Sequence, residues 1–228
     1  MDKRILVHYQ TFSFSESFWM MERSDKRKLL REFIKAAREV CGQAEFYQLY
    51  PAAGEWDLML WSSNNAEDKM APDQYFRSFA GKFNALRSHI LPGRNFWGMT
   101  KPSVYSKARR SPQEIDPFDT TKRTPYFIIY PFSKTPEWYM KSREERQEMM
   151  NAHITLGKKY KEINQLLLYS FGLQDQEFIV SYEMESLAQF SDLVYDLRMT
   201  EARLFTLLDT PIITALRREE DDLMDLYC

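Results

Sequence analysis

Tyr126-Phe127-Ile128-Ile129-Tyr130-Pro131-Phe132-Ser133-Lys134 is followed by Glu137-Trp138-Tyr139, Glu144-Glu145-Arg146, Met149-Met150 and His153. Residues 126–132 are β-branched and aromatic and read as a strand. Residues 142–159 carry Met149, His153, Leu156 and Tyr160 along one face, which reads as a helix. Tyr130 and Lys134 share parity on the strand and project from one side of it. Residues 163–171 then read as a strand, Gly172-Leu173-Gln174-Asp175 as a turn, and residues 177–183 as its antiparallel partner. An amphipathic helix over 187–200 places Leu187, Phe190, Leu193, Val194 and Leu197 inward, and a last strand is expected over 204–216. The order is β-α-β-β-α-β.

Upstream, the same order is legible. Residues 5–14 read as a strand with Ile5, Val7 and Tyr9 on one face. Ser24-Asp25 starts a helix whose stripe is Leu29, Leu30, Phe33, Ile34, Ala37 and Val40, and Gly42 stops it. Residues 46–50 and 57–61 form a hairpin around Pro51-Ala52-Ala53-Gly54. A helix over 73–88 and a strand over 95–105 complete the unit. The fold class is therefore α+β, two tandem ferredoxin-like βαββαβ modules. They occupy 1–106 and 125–228, with a Ser-, Pro- and charge-rich linker over 107–124. The two halves agree in pattern rather than in identity.

The chain has 228 residues, a formal net charge of −2, and 28% charged side chains. That balance gives no electrostatic footprint for nucleic acid, and the short basic run Lys107, Arg109, Arg110 reads as a solvated loop. No apolar run approaches the length of a membrane span. The N-terminus shows no signal-peptide pattern, so a cytoplasmic protein is expected. Cys41 and Cys228 form no CxxC pair, which removes zinc and iron–sulfur sites. Aromatic residues reach 15%, enough to wall a pocket for a flat ligand as well as to fill a core. The histidines are His8, His89 and His153, so a histidine-ligated cofactor has few possible anchors. The acidic stretch from Arg217 to Asp222, with Asp225, reads as a solvated extension.

Several short motifs occur in order: Tyr130-Pro131-Phe132-Ser133-Lys134, Glu137-Trp138-Tyr139, Glu145-Arg146, Met149-Met150-Asn151-Ala152-His153, Tyr169-Ser170-Phe171-Gly172-Leu173, Asp175-Gln176-Glu177-Phe178, Leu197-Arg198 and Asp209-Thr210-Pro211. Through them the second half resembles the chlorite dismutase-like haem protein family, and more particularly its coproheme decarboxylase branch. The first half matches through Asp57-Leu58-Met59-Leu60-Trp61 and Ser103-Val104-Tyr105. The resemblance implies a dimeric α/β-barrel fold, a porphyrin site in the second module with none in the first, and a homo-oligomer, often a pentameric ring. It implies haem b or iron coproporphyrin III as the bound porphyrin and hydrogen peroxide as oxidant.

Residue by residue, His153 matches the proximal ligand of the haem iron. Glu183 matches the carboxylate with which the dismutase branch holds that histidine. Tyr130 matches a radical relay that abstracts hydrogen from a propionate β-carbon, so that CO₂ leaves and a vinyl group forms. Lys134, Tyr105 and Thr210 match propionate-binding positions. Gln165 falls at the distal position, where chlorite dismutases carry an arginine; a glutamine supplies no fixed positive charge there. Where relatives often read Arg-Tyr, this chain has Leu204-Phe205, with Arg203 one place early. The implied activity is oxidative decarboxylation of coproheme to haem b. Chlorite dismutation or a peroxidase activity, and haem binding or delivery without turnover, remain as alternatives.

Overall fold

The structure is a computed structural model and describes residues 4–105 and 111–228. The basic run Lys107, Arg109, Arg110 and the start of the expected linker lie outside the described residues. The first module comprises β1 (Ile5–Phe14), α1 (Glu16–Trp19), α2 (Arg23–Val40), β2 (Gln43–Gln48), β3 (Leu58–Asn65), α3 (Ala71–Phe83) and β4 (Ile90–Thr100). The second comprises β5 (Tyr126–Lys134), α4 (Pro136–Met140), α5 (Arg143–Gly157), β6 (Asn164–Tyr169), β7 (Phe178–Met184), α6 (Leu187–Arg198), β8 (Thr206–Leu208), β9 (Ile213–Arg218) and α7 (Glu220–Tyr227).

Within each module the strands lie in the same order, β4-β1-β3-β2 in the first and β9-β5-β7-β6 in the second. The modules then join at both edges. Phe46 of β2 pairs with Arg218 of β9, and Met99 of β4 pairs with Tyr169 of β6. All of these ladders are antiparallel, and together they close a barrel; β8 pairs only with the end of β5, Ser133 facing Leu208. Alternation along each strand sends one face inward. Tyr9, Tyr47, Trp61, Phe127, Leu168 and Ile179 fill the interior, each at most 1% exposed. The helices pack on the outer faces.

The two modules run in step about 120 residues apart. Strands β1 and β5 end at Phe14 and Lys134, and α2 and α5 begin at Arg23 and Arg143. The position of His153 in the second module is thus that of Phe33 in the first. Phe33 is fully buried and packs edge-on against Phe12 and Phe83, with ring centroids 5.0 and 5.2 Å away.

Three expectations need correction. The region read as one strand over 204–216 holds a 3₁₀ turn (Glu201–Phe205), then β8, then β9. Pro211 has no N–H to continue a ladder, so the strand breaks there. The fourth strand begins at Ile90 rather than near 95, because Pro92-Gly93 sits at a bulge opposite Gln10–Phe12 instead of in a turn. Gly93 is required at this bulge, since a Cβ there would lie 2.5 Å from the Trp56 ring and 2.6 Å from Thr11 Oγ1. The acidic tail is not a solvated extension. It is α7, started by a capping box between Glu219 and Asp222. Its apolar face (Leu223, Met224 and Tyr227) is buried in the core of the first module, and the Tyr227 hydroxyl donates to the Asp57 carbonyl at 2.7 Å.

Candidate functional site

The outer face of the second module's sheet forms three rows: Ile128, Tyr182 and Gln165; then Tyr130, Val180 and Leu167; then Phe132, Phe178 and Tyr169. Helix α6 covers this face, its Phe190 and Leu193 packing against Ile128, Val180 and Tyr182, and α5 lies against α6 and the 3₁₀ turn. Tyr130 is half-buried on it. Its ring stacks on that of Tyr182 at 6.1 Å and 26°. Burial raises the Tyr130 phenol above its ordinary pKa, while the neighbouring Tyr182 hydroxyl draws it back. Gln165 shares the face, exposed, and its backbone is held by Gln113 and Ile115. Of the segment expected to be a linker, Ile115 thus lies in the barrel core, 5% exposed.

Lys134 ends β5. Its ammonium donates to the Ala202 carbonyl at 2.9 Å and lies 4.7 Å from the Trp138 ring centroid. Burial, helped by Arg203, lowers its pKa to about 8. The Glu177 carboxylate accepts from the Lys134 backbone N–H at 2.8 Å and from the Tyr139 hydroxyl at 2.5 Å. Trp138, Met149 and Ala202 form a small buried cluster that Tyr105 joins, its ring 6.4 Å from that of Trp138. The Tyr105 carbonyl accepts from Gln147 of α5 at 3.0 Å.

His153 is half-buried on α5. Burial, and then the charge of Lys134, lower its pKa to about 4, so the imidazole is neutral at pH 7. Its Nδ1 is buried with no hydrogen-bond partner among the described residues. A Cβ placed on Gly157, one turn later, would meet nothing within 4 Å. A neutral imidazole, an adjacent glycine with space beside it and a wall of apolar and phenolic side chains fit a flat, iron-bearing ring. Nothing among the described residues groups three or more His, Cys, Asp or Glu side chains as a separate metal site.

Glu183 does not serve as expected. Strand alternation turns it into the barrel, away from the face of Tyr130 and Tyr182, where it pairs with Arg123 at 3.2 Å. Arg123 stacks on Trp61 with its guanidinium 4.1 Å from the ring centroid. The two side chains are 4% and 2% exposed, so Glu183 is buried in the interior and committed to Arg123 rather than to His153. Burial pushes the Glu183 carboxyl up to about 7 against the pull of Arg123. Thr210 is exposed in the turn before β9.

Sequence reasoning missed one group. Arg198 and Arg203 share a single oxygen of Asp209, at 2.7 and 3.5 Å. The charges of all three reach Tyr130. Leu197-Arg198 and Asp209-Thr210-Pro211 both stand among the motifs, and Arg203 precedes Leu204-Phe205; nothing in the sequence joined the three. A separate groove of about 260 Å³ lies between α2 and β9, and its Arg217 is already paired with Glu45 at 2.9 Å.

A family profile described as chlorite dismutase matches residues 23–218. A coproheme decarboxylase from Mycolicibacterium smegmatis is 35% identical over 181 residues, covering 77% of this chain and 74% of that one. A coproheme decarboxylase from Staphylococcus saprophyticus is 28% identical over 187 residues, covering 75% and 72%. Among solved structures, an arginine-to-lysine mutant of chlorite dismutase from Candidatus Nitrospira defluvii superposes with a TM-score of 0.83 at 22% identity, covering 100% of this chain and 96% of that one. At that identity the likeness establishes the fold. No helix among the described residues is long and apolar enough to cross a membrane.

Proposed function

The chain belongs to the chlorite dismutase family, and from that membership we propose that it converts iron coproporphyrin III to haem b with hydrogen peroxide, by oxidative decarboxylation of two propionates. The observation that carries this reading is that Tyr130 and Gln165 share one sheet face, while Lys134 ends the strand of Tyr130 close enough to His153 of α5 for its charge to act there. The decarboxylases from two other organisms that match over most of the chain support it.

Each propionate, one peroxide and one proton give a vinyl group, CO₂ and two waters, a two-electron oxidation. The porphyrin iron supplies the redox chemistry. Neutral His153 would hold the iron through Nε2. Among the described residues no carboxylate meets its Nδ1, which would leave the imidazole a weaker donor than one held by a glutamate. Tyr130 gives up its phenolic hydrogen and recovers one from the propionate β-carbon. Lys134 pairs with a propionate carboxylate, and its reduced pKa keeps the ammonium's charge partly adjustable near neutrality. Tyr105 and Thr210 are proposed as further propionate contacts, and Gln165 as the distal side chain. The division into modules at 1–106 and 125–228, with the porphyrin in the second, belongs to the same proposal. So does a cytoplasmic homo-oligomer, a pentamer by the family resemblance, for which the exposed Leu204, Leu207, Leu208 and Ile212 offer an apolar surface.

Chlorite dismutation is less well supported, because Glu183 faces Arg123 and Gln165 carries no charge. A carrier without turnover rested on Leu204-Phe205. Arg203 nonetheless acts electrostatically on Lys134 and Tyr130, so a cation is present where that departure suggested a loss. The test is to load the protein with iron coproporphyrin III, titrate peroxide and follow porphyrin mass. Two successive losses of the mass of formic acid are expected, and Tyr130→Phe is expected to bind the porphyrin while forming no vinyl group. Normal turnover by that variant sinks the mechanism.

A further inference from the structure

An ion-pair group within electrostatic reach of Tyr130 has the chemistry to receive a propionate. The Asp209 carboxylate takes Arg198 Nη2 at 2.7 Å and Arg203 Nη2 at 3.5 Å on one oxygen. Arg203 also donates to the Thr206 carbonyl at 3.4 Å, which anchors it to β8 beside the end of β5. The side chains of Arg198, Arg203 and Asp209 are 39%, 33% and 19% exposed, so both guanidiniums can be reached from outside the core. With Lys134 and its neighbour Glu177 alongside, the group holds three cations and two carboxylates.

If Tyr130 takes hydrogen from a propionate β-carbon, the carboxylate of that propionate lies two bonds further along the chain and close to the phenol. It falls within the group whose charges already reach Tyr130. Two guanidiniums that converge on one carboxylate oxygen form a cationic site that either an aspartate or a propionate can fill. Resting on the functional reading above, we propose that Asp209 and the reacting propionate compete for Arg198 and Arg203. Arrival of the propionate displaces Asp209. Once the carboxylate has left as CO₂, the vinyl side chain has nothing to offer the arginines and Asp209 takes them back. Asp209 therefore weakens the binding of the substrate at its reacting group and favours turning over of the porphyrin after reaction. It acts through the arginines and is a specificity residue rather than a catalytic one.

The test uses the full chain with two iron-free porphyrins, which separates carboxylate recognition from iron ligation and turnover. Coproporphyrin III carries four propionates; protoporphyrin IX has vinyl groups in place of the two that react. Fluorescence titration should show Asp209→Asn binding coproporphyrin III about tenfold more tightly than the wild type, and protoporphyrin IX by less than about threefold. Arg203→Gln and Arg198→Gln should each weaken coproporphyrin III selectively. Asp209→Ser provides the same charge removal should the amide variant fold poorly. Unchanged or weaker coproporphyrin III binding in the Asp209 variants overturns the competition, as does equal tightening of both porphyrins or arginine variants that bind normally. Failure of the wild-type protein to bind either porphyrin overturns the functional reading together with this inference. Normal binding with no selective tightening overturns this inference alone.

Discussion

Leu223→Ala tests whether the C-terminal helix belongs to the core. Leu223 is 1% exposed and lies in the same cluster as Phe12, Leu30 and Phe33, with Tyr227 one turn on. Removing a fully buried leucine loses the transfer energy of its missing carbons and leaves a cavity, about 3 kcal/mol here within a usual span of 2–5. For a chain of this size that lowers the melting temperature by roughly 6–12 °C. Leu226 is on the same helix but 45% exposed, so Leu226→Ala should cost less than about 0.5 kcal/mol. Urea denaturation at pH 7, followed by tryptophan fluorescence with all variants compared at one slope, reads both values. A cost below about 1 kcal/mol for Leu223→Ala, or equal costs for the two leucines, would mean that α7 is the loose extension its composition suggests, and the packing argument would fail.

Acid should expose the burial of His8. It is 3% exposed, its Nδ1 meets the Tyr75 hydroxyl at 2.8 Å, and burial lowers its pKa to about 3. Since the unfolded chain binds this proton more readily, the stability is fully present above pH 6.5 and is lost as pH falls toward 3, by about 3 kcal/mol at pH 4. His8→Gln should show a shallower loss between pH 7 and pH 4 in urea titrations, and an identical loss would refute the assignment. Arg123→Met strands the Glu183 carboxylate in the barrel and should cost about 3–5 kcal/mol at pH 8. The cost should shrink at pH 6, where Glu183 is protonated, and Arg123→Met with Glu183→Gln should recover most of it; a pH-independent cost would contradict the buried pair. Tyr182→Phe removes the hydroxyl that draws the Tyr130 phenol down, so the Tyr130 phenol should titrate still higher. Ultraviolet difference titration against Tyr130→Phe measures this, and a fall would show that the Tyr182 hydroxyl does not lower it.

The fold class was legible because each module repeats a strong alternation of periods. Ile5 to Phe14 is so rich in β-branched and aromatic residues that its expected bounds are those of β1. Closure of the barrel was not legible. It depends on β2 meeting β9 and β4 meeting β6, pairings between residues far apart that no local pattern records. Parity placed Tyr130 and Lys134 on one side of a strand, and the structure adds Gln165 and Leu167 to the face of Tyr130. What parity lacks is the side on which the helices lie, and a wrong choice of side exchanges Tyr182 for Glu183. Arg123 sits in a stretch whose composition reads as solvated, yet it is buried because its partners Glu183 and Trp61 come from two other parts of the chain. The tail misled for a related reason: six acidic and basic residues hide an apolar face of only three side chains.

Barrel closure has a consequence for the order in which the chain is made. Both free edges of the first module, β2 and β4, find their partners in the second, and the β2 partner is β9, at residues 213–218. A ribosome therefore releases the first half with two unpaired edges and with the inward rings of Tyr9, Tyr47 and Trp61 uncovered, a state open to strand-to-strand aggregation. Translation must run past residue 218 before those edges are sealed. Pausing or truncation before that point should thus be far more damaging than the loss of an ordinary strand and helix, and a first half expressed alone should collect as insoluble protein.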